Sequence, residues 1–288
     1  MHISVMSLID IHDLVNENEP LASLPSTFYE LQKVVADPSC DFDDIAEIIS
    51  IDPSLTLRLL KIVNSAFYGF RGEIDTVTHA LGVIGTEQLM QLVLATTVVQ
   101  QFKGIKMIAM DYFWKHSVAC GLAARAIHHT RGEYDGERIF LAGLLHDIGR
   151  LVMCLKSPDQ LRTVLDFAKK SGDRWHKAEA KFFGFDHSGV GGALIRSWHL
   201  PVSLQEAVVH HHYPASAKNF PIEAVTVHLA DIISHNLVLD PDQGNDINYN
   251  NKGAWDAVQL SEDLHLQHIT EQAEEQLEEV SRIFVQTT

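Results

Sequence analysis

Apolar residues recur at steps of three and four along most of this 288-residue chain. In the stretch that follows Asp52, for example, Leu55, Leu59, Ile62 and Ala66 fall on one face of a helix. We find no segment in which apolar and polar residues alternate over the length of a strand. This pattern predicts an all-α fold.

The helical pattern is interrupted at KGIKMIAM, residues Lys103–Met110. We therefore predict two units, a helical lobe over residues 1–105 and a helical domain over residues 106–288. Within the first unit, Gly85 is predicted to form a turn between a short helix and a longer one. Within the second, the Asn- and Gly-rich segment Asp240–Gly253 is predicted to be an exposed loop. The apolar positions near the C-terminus predict one amphipathic helix that packs on its own domain.

Charge and cysteine content narrow the possible environments and partners. The net charge of −16 disfavours binding to nucleic acid, which depends on neutralising phosphates with Lys and Arg. Three widely separated cysteines do not suggest a disulfide framework. The N-terminal residues have no basic start, so they do not resemble a signal peptide. The most apolar segment, LMQLVLATTVVQQF, is too short to span a bilayer. We expect a cytoplasmic protein without membrane insertion.

The run FLAGLLHDIGRLVM places His146 and Asp147 inside an apolar stretch that is predicted to be a buried helix. Burying an ionisable pair costs free energy unless something compensates it, and a divalent cation would do so. Neighbouring helical positions point about 100° apart, so both side chains can flank one ion, or Asp147 can bridge two. Arg150 follows one turn later and is a candidate contact for a phosphate oxygen.

Other histidines and acids also lie in or beside apolar helical stretches. A lone histidine usually has a structural or surface role, but several histidines and acids in such stretches favour metal ligation. His and carboxylate donors without Cys suit Fe, Mn, Zn or Ni, so the donors do not select the ion. We expect one or two divalent ions and no organic cofactor. Besides His146 and Asp147, the candidates are His116, His187, Asp231 and the run of His210, His211 and His212, of which His210 is the least expected to face inward.

The order of these motifs resembles the HD superfamily of metal-dependent phosphohydrolases and, more closely, the HDOD domain of bacterial signalling proteins. The resemblance covers about residues 20 to 240. It is carried by LASLPSTFYELQKVV, IISIDPSLTLRLLKIVNSAFYG, ALGVIGTEQLMQLVL, FWKHSVACGLAARAI, FLAGLLHDIGRLV, FGFDHSGVGGALIRSWHLP and AVVHHHYP. It implies an all-α fold and a role in signal transduction, often without demonstrated catalysis.

The related HD-GYP phosphodiesterases of cyclic di-GMP extend this resemblance to the ligands. Arg150 stands where those enzymes tend to have a lysine. Tyr213 replaces a glutamate and the GYP segment is missing, so their substrate contacts do not carry over. Tyr112 stands where some of them have a further acidic ligand, so a third metal is not expected. The resemblance assigns His116, His146, Asp147 and Asp231 to a first metal site, and Asp147, His187, His211 and His212 to a second.

Two functions remain open. The first is a regulatory module that binds a metal and transmits its state to a signalling protein or responds to a small nucleotide, without turnover. The second is a metal-dependent phosphohydrolase, and of the two we favour the first. The sequence does not determine the oligomeric state. Several other histidines are assigned surface or structural roles: His79, His128, His129, His176, His199, His228, His235, His265 and His268.

Overall fold

The structure, a computed structural model, describes residues 10–15, 23–133, 135–238 and 251–285. These residues form helices and no strand, which confirms the all-α prediction. The helices are α1 (Ile11–Leu14), α2 (Ser26–Val35), α3 (Phe42–Ser50), α4 (Pro53–Val63), α5 (Val77–Ile84), α6 (Thr86–Gln101), α7 (Met110–Thr130), α8 (Gly136–Leu145), α9 (Ile148–Lys156), α10 (Pro158–Ser171), α11 (Trp175–Phe183), α12 (His187–Ser197), α13 (Val202–His210), α14 (Pro221–Leu237), α15 (Lys252–Ala257) and α16 (Glu262–Val285).

Local sequence signals set the starts of the early helices. The Asp41 carboxylate accepts hydrogen bonds from the backbone N–H groups of Asp43 and Asp44, and the Asp44 side chain completes a capping box at α3. Asp52 caps α4 in the same way, and Pro53 occupies the first helical position, where a missing N–H costs nothing. These starts agree with the sequence prediction.

Gly85 forms the predicted turn between α5 and α6. Its φ of 87° lies in the left-handed region, which favours glycine. Across it the two helices bend by 120°. Among the described residues no single helix is long and apolar enough to cross a membrane, although α5 and α6 taken together have the length and composition. Most of the apolar side chains of α6 are buried inside the protein.

The long helix α7 is the centre of the second half of the chain. It packs against α8, α14 and α16. Its contact with α8 is close because glycines face each other: a Cβ on Gly143 would lie 2.7 Å from the Cα of Gly121. This approach of two backbones brings His116 on α7 near the end of α8.

The C-terminal helix α16 packs on α7 and also contacts α4. Its apolar face is buried while acidic residues face outward, as the amphipathic pattern predicts. Glu279 accepts a hydrogen bond from the backbone N–H of Ala66 at 3.0 Å, so α16 also contacts the first unit. The interruption at residues 103–110 falls between α6 and α7. The division into units at residue 105 stays a prediction.

The predicted loop Asp240–Gly253 lies mostly outside the described residues. At its end the prediction is wrong, because α15 begins at Lys252 and includes Gly253. Trp255 stabilises this short helix by inserting into the core, where it is 4% exposed.

Candidate metal centre

His146 and Asp147 lie at a break between two helices, so the expectation of one continuous helix is wrong. His146 caps the end of α8, and Asp147 precedes the first residue of α9. Both side chains are buried, with exposures of 0% and 2%. The break turns the two side chains toward a common centre instead of along one helix face.

The first group of donors surrounds one carboxylate oxygen of Asp231 on α14. Its Oδ1 lies 3.2 Å from Nε2 of His116 and 3.5 Å from Nε2 of His146. The same Nε2 of His146 lies 3.5 Å from Oδ2 of Asp147. His235, one turn after Asp231, adds a further Nε2 at 3.4 Å from Oδ1. The structure therefore brings the four residues predicted for a first metal site together with a fifth.

The second group lies on the other side of Asp147. Its Oδ1 is 2.9 Å from Nε2 of His187 and 3.8 Å from Nε2 of His211. The Nε2 atoms of His187 and His212 are 2.9 Å apart. Asp147 thus offers one carboxylate oxygen to each group, as a bridging ligand would.

The imidazoles of the centre share one orientation. Nδ1 of His146 donates to the carbonyl of Gly143, and Nδ1 of His211 donates to that of Val208, both at 2.7 Å. Nδ1 of His116 lies 3.2 Å from the hydroxyl oxygen of Ser234. Each ring therefore points Nε2 inward, an arrangement typical of metal-ligating histidines with outer hydrogen-bond partners.

The fourth inward-facing imidazole, His187, is held by a buried carboxylate. Glu179 Oε2 lies 2.5 Å from Nδ1 of His187 and accepts a hydrogen bond from its backbone N–H at 2.9 Å. Glu179 is 1% exposed. The sequence analysis missed this residue, because a single glutamate on another helix carries no periodicity or spacing that points to a site.

A cation fits the chemistry of these donors. In each of His116, His146 and His211, Nε2 is buried and makes no hydrogen bond. Leaving such atoms unsatisfied in a protein interior costs free energy. A divalent ion in each group would accept their lone pairs and remove this cost.

Electrostatics keep the two carboxylates ionised. Burial alone would raise the pKa of Asp147, but the charges of Arg150, His146 and His187 hold it well below its usual range. Burial alone would also raise the pKa of Asp231, but His235, His116 and His146 lower it well below its usual range.

The imidazoles of the second group differ from one another. Burial and the neighbouring His146 lower the pKa of His211 to about 3, so this ring is neutral. Burial also acts to lower the pKa of His187, but Glu179 and Asp147 raise it to about 9. The carboxylates of Glu179 and Asp147 thus favour positive charge at His187, and a bound cation would provide such a charge.

Arg150 links this centre to its surroundings. Its Nη1 lies 3.0 Å from Oδ2 of Asp147, and its guanidinium lies over the ring of Trp175 at 4.8 Å. The sequence placed Arg150 as a phosphate contact, and that role stays a prediction. Its side chain is half-buried at the edge of the centre.

Two histidines assigned surface or structural roles lie at the centre. His235 joins the first group, and its position one turn after Asp231 was the signal that the sequence offered. His176 stacks on His212 with ring centroids 3.9 Å apart. A further group, composed of His128, Glu133 and Asp135, lies elsewhere.

Comparison with known proteins gives this centre a family context. Residues 21–214 match the HDOD domain. The chain belongs to the HDOD family. The match includes the early helices as well as the His146–Asp147 run, as the resemblance predicts.

Known relatives share the fold of this HDOD protein. An HDOD domain protein of unknown function from Geobacter sulfurreducens superposes with a TM-score of 0.78 at 21% identity, over 91% of this chain and 93% of that one. A protein from Shewanella amazonensis, named as a candidate phosphohydrolase, gives 0.73 at 22% identity, over 94% and 100%. At these identities the likeness shows the fold alone.

An uncharacterised protein of Treponema pallidum is 25% identical over 222 residues, which are 74% of this chain. The match spans only 42% of that relative's length.

Proposed function

We propose that this HDOD protein is a signalling module that holds two divalent cations at the His/Asp centre and binds a phosphorylated ligand there. The observation that carries the proposal is the inward orientation of Nε2 in four imidazoles around Asp147, each with its Nδ1 held from outside. Histidines that merely fill a core have no reason to share this orientation. The residues that would hold the cations are His116, His146, Asp147, Asp231 and His235 for the first, and Asp147, His187, His211 and His212 for the second.

The regulatory part of the proposal rests on the family and on the packing. A structural relative from Marinobacter aquaeolei, with a TM-score of 0.71 at 18% identity, is named as a candidate signal transduction protein. In this chain the first unit contacts the helices of the centre, since α6 packs on α8, which ends at His146. A change at the centre would therefore reach the early helices, where a signalling protein partner could detect it.

The donor types limit the cation without selecting it. Imidazole and carboxylate donors suit Fe, Mn, Zn and Ni. Cys120 and Cys154 are buried free thiols, and burial raises the pKa of both, for Cys154 to about 12. They are therefore not expected to act as thiolate ligands.

The direct test is the metal content of protein purified without a histidine tag, measured by elemental mass spectrometry. We expect about two equivalents, lost in Asp147→Ala because both groups share this carboxylate. Asp256→Ala, an exposed carboxylate on α15, is the matched control and should keep its metal. Protein that takes up no metal, even when refolded with Mn²⁺, Fe²⁺ or Zn²⁺, would contradict the proposal.

A second candidate function is phosphoester hydrolysis, and the position of Arg150 beside Asp147 favours it. A bound cation pair would supply Lewis acidity and a nucleophile at neutral pH. Asp147 would help to hold both cations. The Arg150 guanidinium would donate hydrogen bonds to a non-bridging phosphate oxygen.

Turnover of bis(p-nitrophenyl) phosphate by metal-loaded protein separates the two functions. Hydrolysis that falls at least about 100-fold in Arg150→Ala, with metal content unchanged, would establish the second function. Metal-loaded protein that binds phosphate but does not hydrolyse the diester or nucleotides would support the regulatory function and exclude the hydrolase.

A further inference from the structure

A pocket of about 220 Å³ lies beside the metal centre and plays no part in holding the cations. One wall comes from the segment that joins α6 to α7, with Met107 and Ile108, and from the start of α7, with Tyr112. The other wall comes from α9, α10 and α11. The side chains there include Arg150, Lys169 and Trp175.

Two of the lining residues contact the centre directly. The Tyr112 ring is stacked on that of His116, with centroids 6.1 Å apart and planes inclined by 15°. Arg150 lines the pocket while its Nη1 pairs with Asp147. A molecule in this pocket would therefore lie one side chain away from both groups of donors.

The lining combines flat aromatic surface with charged groups. Tyr112, Phe113 and Trp175 are aromatic, Arg150 and Lys169 are cationic, and Asp166 is the one acid among the lining residues. The two cations of the lining outnumber its single carboxylate, whereas the whole chain has a net charge of −16.

The size of the pocket limits what it can hold. Pockets that enclose a whole drug-sized ligand are about 300–1,000 Å³. A pocket of about 220 Å³ is smaller than this range and suits one planar ring system, not a whole dinucleotide. The rest of such a ligand would extend toward Arg150 and the cations.

We propose that this pocket binds the base of a nucleotide whose phosphate lies between Arg150 and the metal centre. The inference rests on the proposed function, because the phosphate requires the cations. The base contacts Tyr112 and Trp175, because aromatic side chains stack on any of the bases. It also contacts Met107 and Ile108, so that ligand binding changes the packing of the segment between the two predicted units.

The test compares ligands that share a phosphate and differ in the base. We would titrate metal-loaded protein with GMP, AMP and ribose 5-phosphate by calorimetry. Each nucleotide should bind at least about 10-fold more tightly than ribose 5-phosphate, the increment expected for one stacked base. Trp175→Ala should abolish this difference while leaving metal content unchanged.

Two controls make the assignment specific. Trp175→Phe keeps an aromatic ring and should retain most of the difference. Phe42→Ala removes an aromatic ring that is 43% exposed on α3, outside the pocket, and should have no effect. If Trp175→Ala does not fold, tryptophan fluorescence gives the same answer: GMP but not ribose 5-phosphate should quench it in the wild-type protein, and this quenching should be lost in Trp175→Phe, which removes only one of the four tryptophans.

The outcomes separate the two proposals. Equal affinity for GMP, AMP and ribose 5-phosphate would overturn the base pocket and leave the metal centre standing. A nucleotide preference that survives in Trp175→Ala would also overturn it, because the base would then lie elsewhere. Protein that takes up metal but binds none of the three ligands overturns the pocket together with the phosphate site. Protein without metal refutes both proposals.

Discussion

The Glu179 carboxylate contacts His187 twice, at Nδ1 of the ring and at the backbone N–H. It thereby fixes both the tautomer of the ring and the start of α12. Outer carboxylates of this kind typically contribute about 10–100-fold to metal affinity. In Glu179→Gln the shape is kept and the charge is lost, so we expect the second cation to bind about 10–100-fold more weakly.

Competition of the loaded protein with a chelator of known affinity measures this change. Glu274→Gln, an exposed glutamate on α16, is the matched control. Unchanged affinity in Glu179→Gln would mean that the carboxylate serves folding alone.

His235 is predicted to be a direct donor to the first cation. Its Nε2 lies 3.4 Å from the Asp231 oxygen around which the group converges. Removing a donor should cost at least as much as removing an outer partner, so His235→Ala should weaken the first cation at least about 10-fold. The second cation should be unaffected. Titration with Mn²⁺ followed by electron paramagnetic resonance resolves the two sites.

The control for this variant is His79→Ala, whose side chain is 49% exposed on α5. Two sites that both match the wild-type affinities in His235→Ala would show that His235 packs at the centre without donating to it.

Gly149 lets α9 and α12 approach each other behind the centre. A Cβ at this position would lie 2.0 Å from the carbonyl oxygen of His187 and 2.7 Å from the N atom of Gly191. Gly149→Ala should therefore force the helices apart and lower the free energy of unfolding by about 1–3 kcal/mol or more. Because His187 moves with α12, metal affinity should fall as well.

Gly82→Ala is a matched comparison for this substitution. Gly82 lies within α5, and a Cβ there would meet nothing within 4 Å. The same chemical change should raise stability by up to about 1 kcal/mol, because alanine favours a helix more than glycine does. Urea unfolding of both variants measures the contrast, and a destabilised Gly82→Ala or a neutral Gly149→Ala would contradict it.

Asp135 stabilises the start of α8 through a pH-dependent contact. Burial alone would raise its pKa, but hydrogen bonds from Arg138 and His128 hold it below the ordinary value of 3.8. A carboxyl whose pKa is lowered by folding stabilises the protein above its unfolded pKa, and the contribution is lost as the pH falls through the folded pKa. Because the Asp135 side chain is 39% exposed and solvent screens its charge, Asp135→Asn should lower stability by less than about 1 kcal/mol at pH 7.

This difference between Asp135→Asn and the wild type should shrink as the pH falls below 3.8. Denaturant unfolding at several pH values follows it, with Asp256→Asn as an exposed control. A difference that stays constant with pH would show that the carboxyl acts by packing, not by its charge.

The sequence predicts the helices well because their signals are local. Asp41, Asp52 with Pro53, and Gly85 act within a few residues of the ends that they define. The break at His146 and Asp147 is not visible in the sequence because the apolar run continues through it unchanged. The close approach of α12 at Gly149, just after the break, is a tertiary contact that no local pattern indicates.

The candidate site divides in the same way. The run at His146 and the paired histidines are visible because several donors stand together in one segment. His235 had a visible partner in Asp231 one turn earlier but was counted among the ordinary histidines. Glu179 had no such partner in the sequence, because its contact with His187 exists only after α11 folds back on α12.

The convergence of donors from distant segments has a consequence for the chain as a whole. His116 on α7 and Asp231 on α14 are far apart in sequence, and a cation between them closes the long loop that separates them. Such closure reduces the freedom of the unfolded chain, as a disulfide does in a secreted protein. The three cysteines of this protein form no such bond in the structure. A bound cation would thus be a reversible cross-link, and the helical bundle would become more rigid as the concentration of available metal rises.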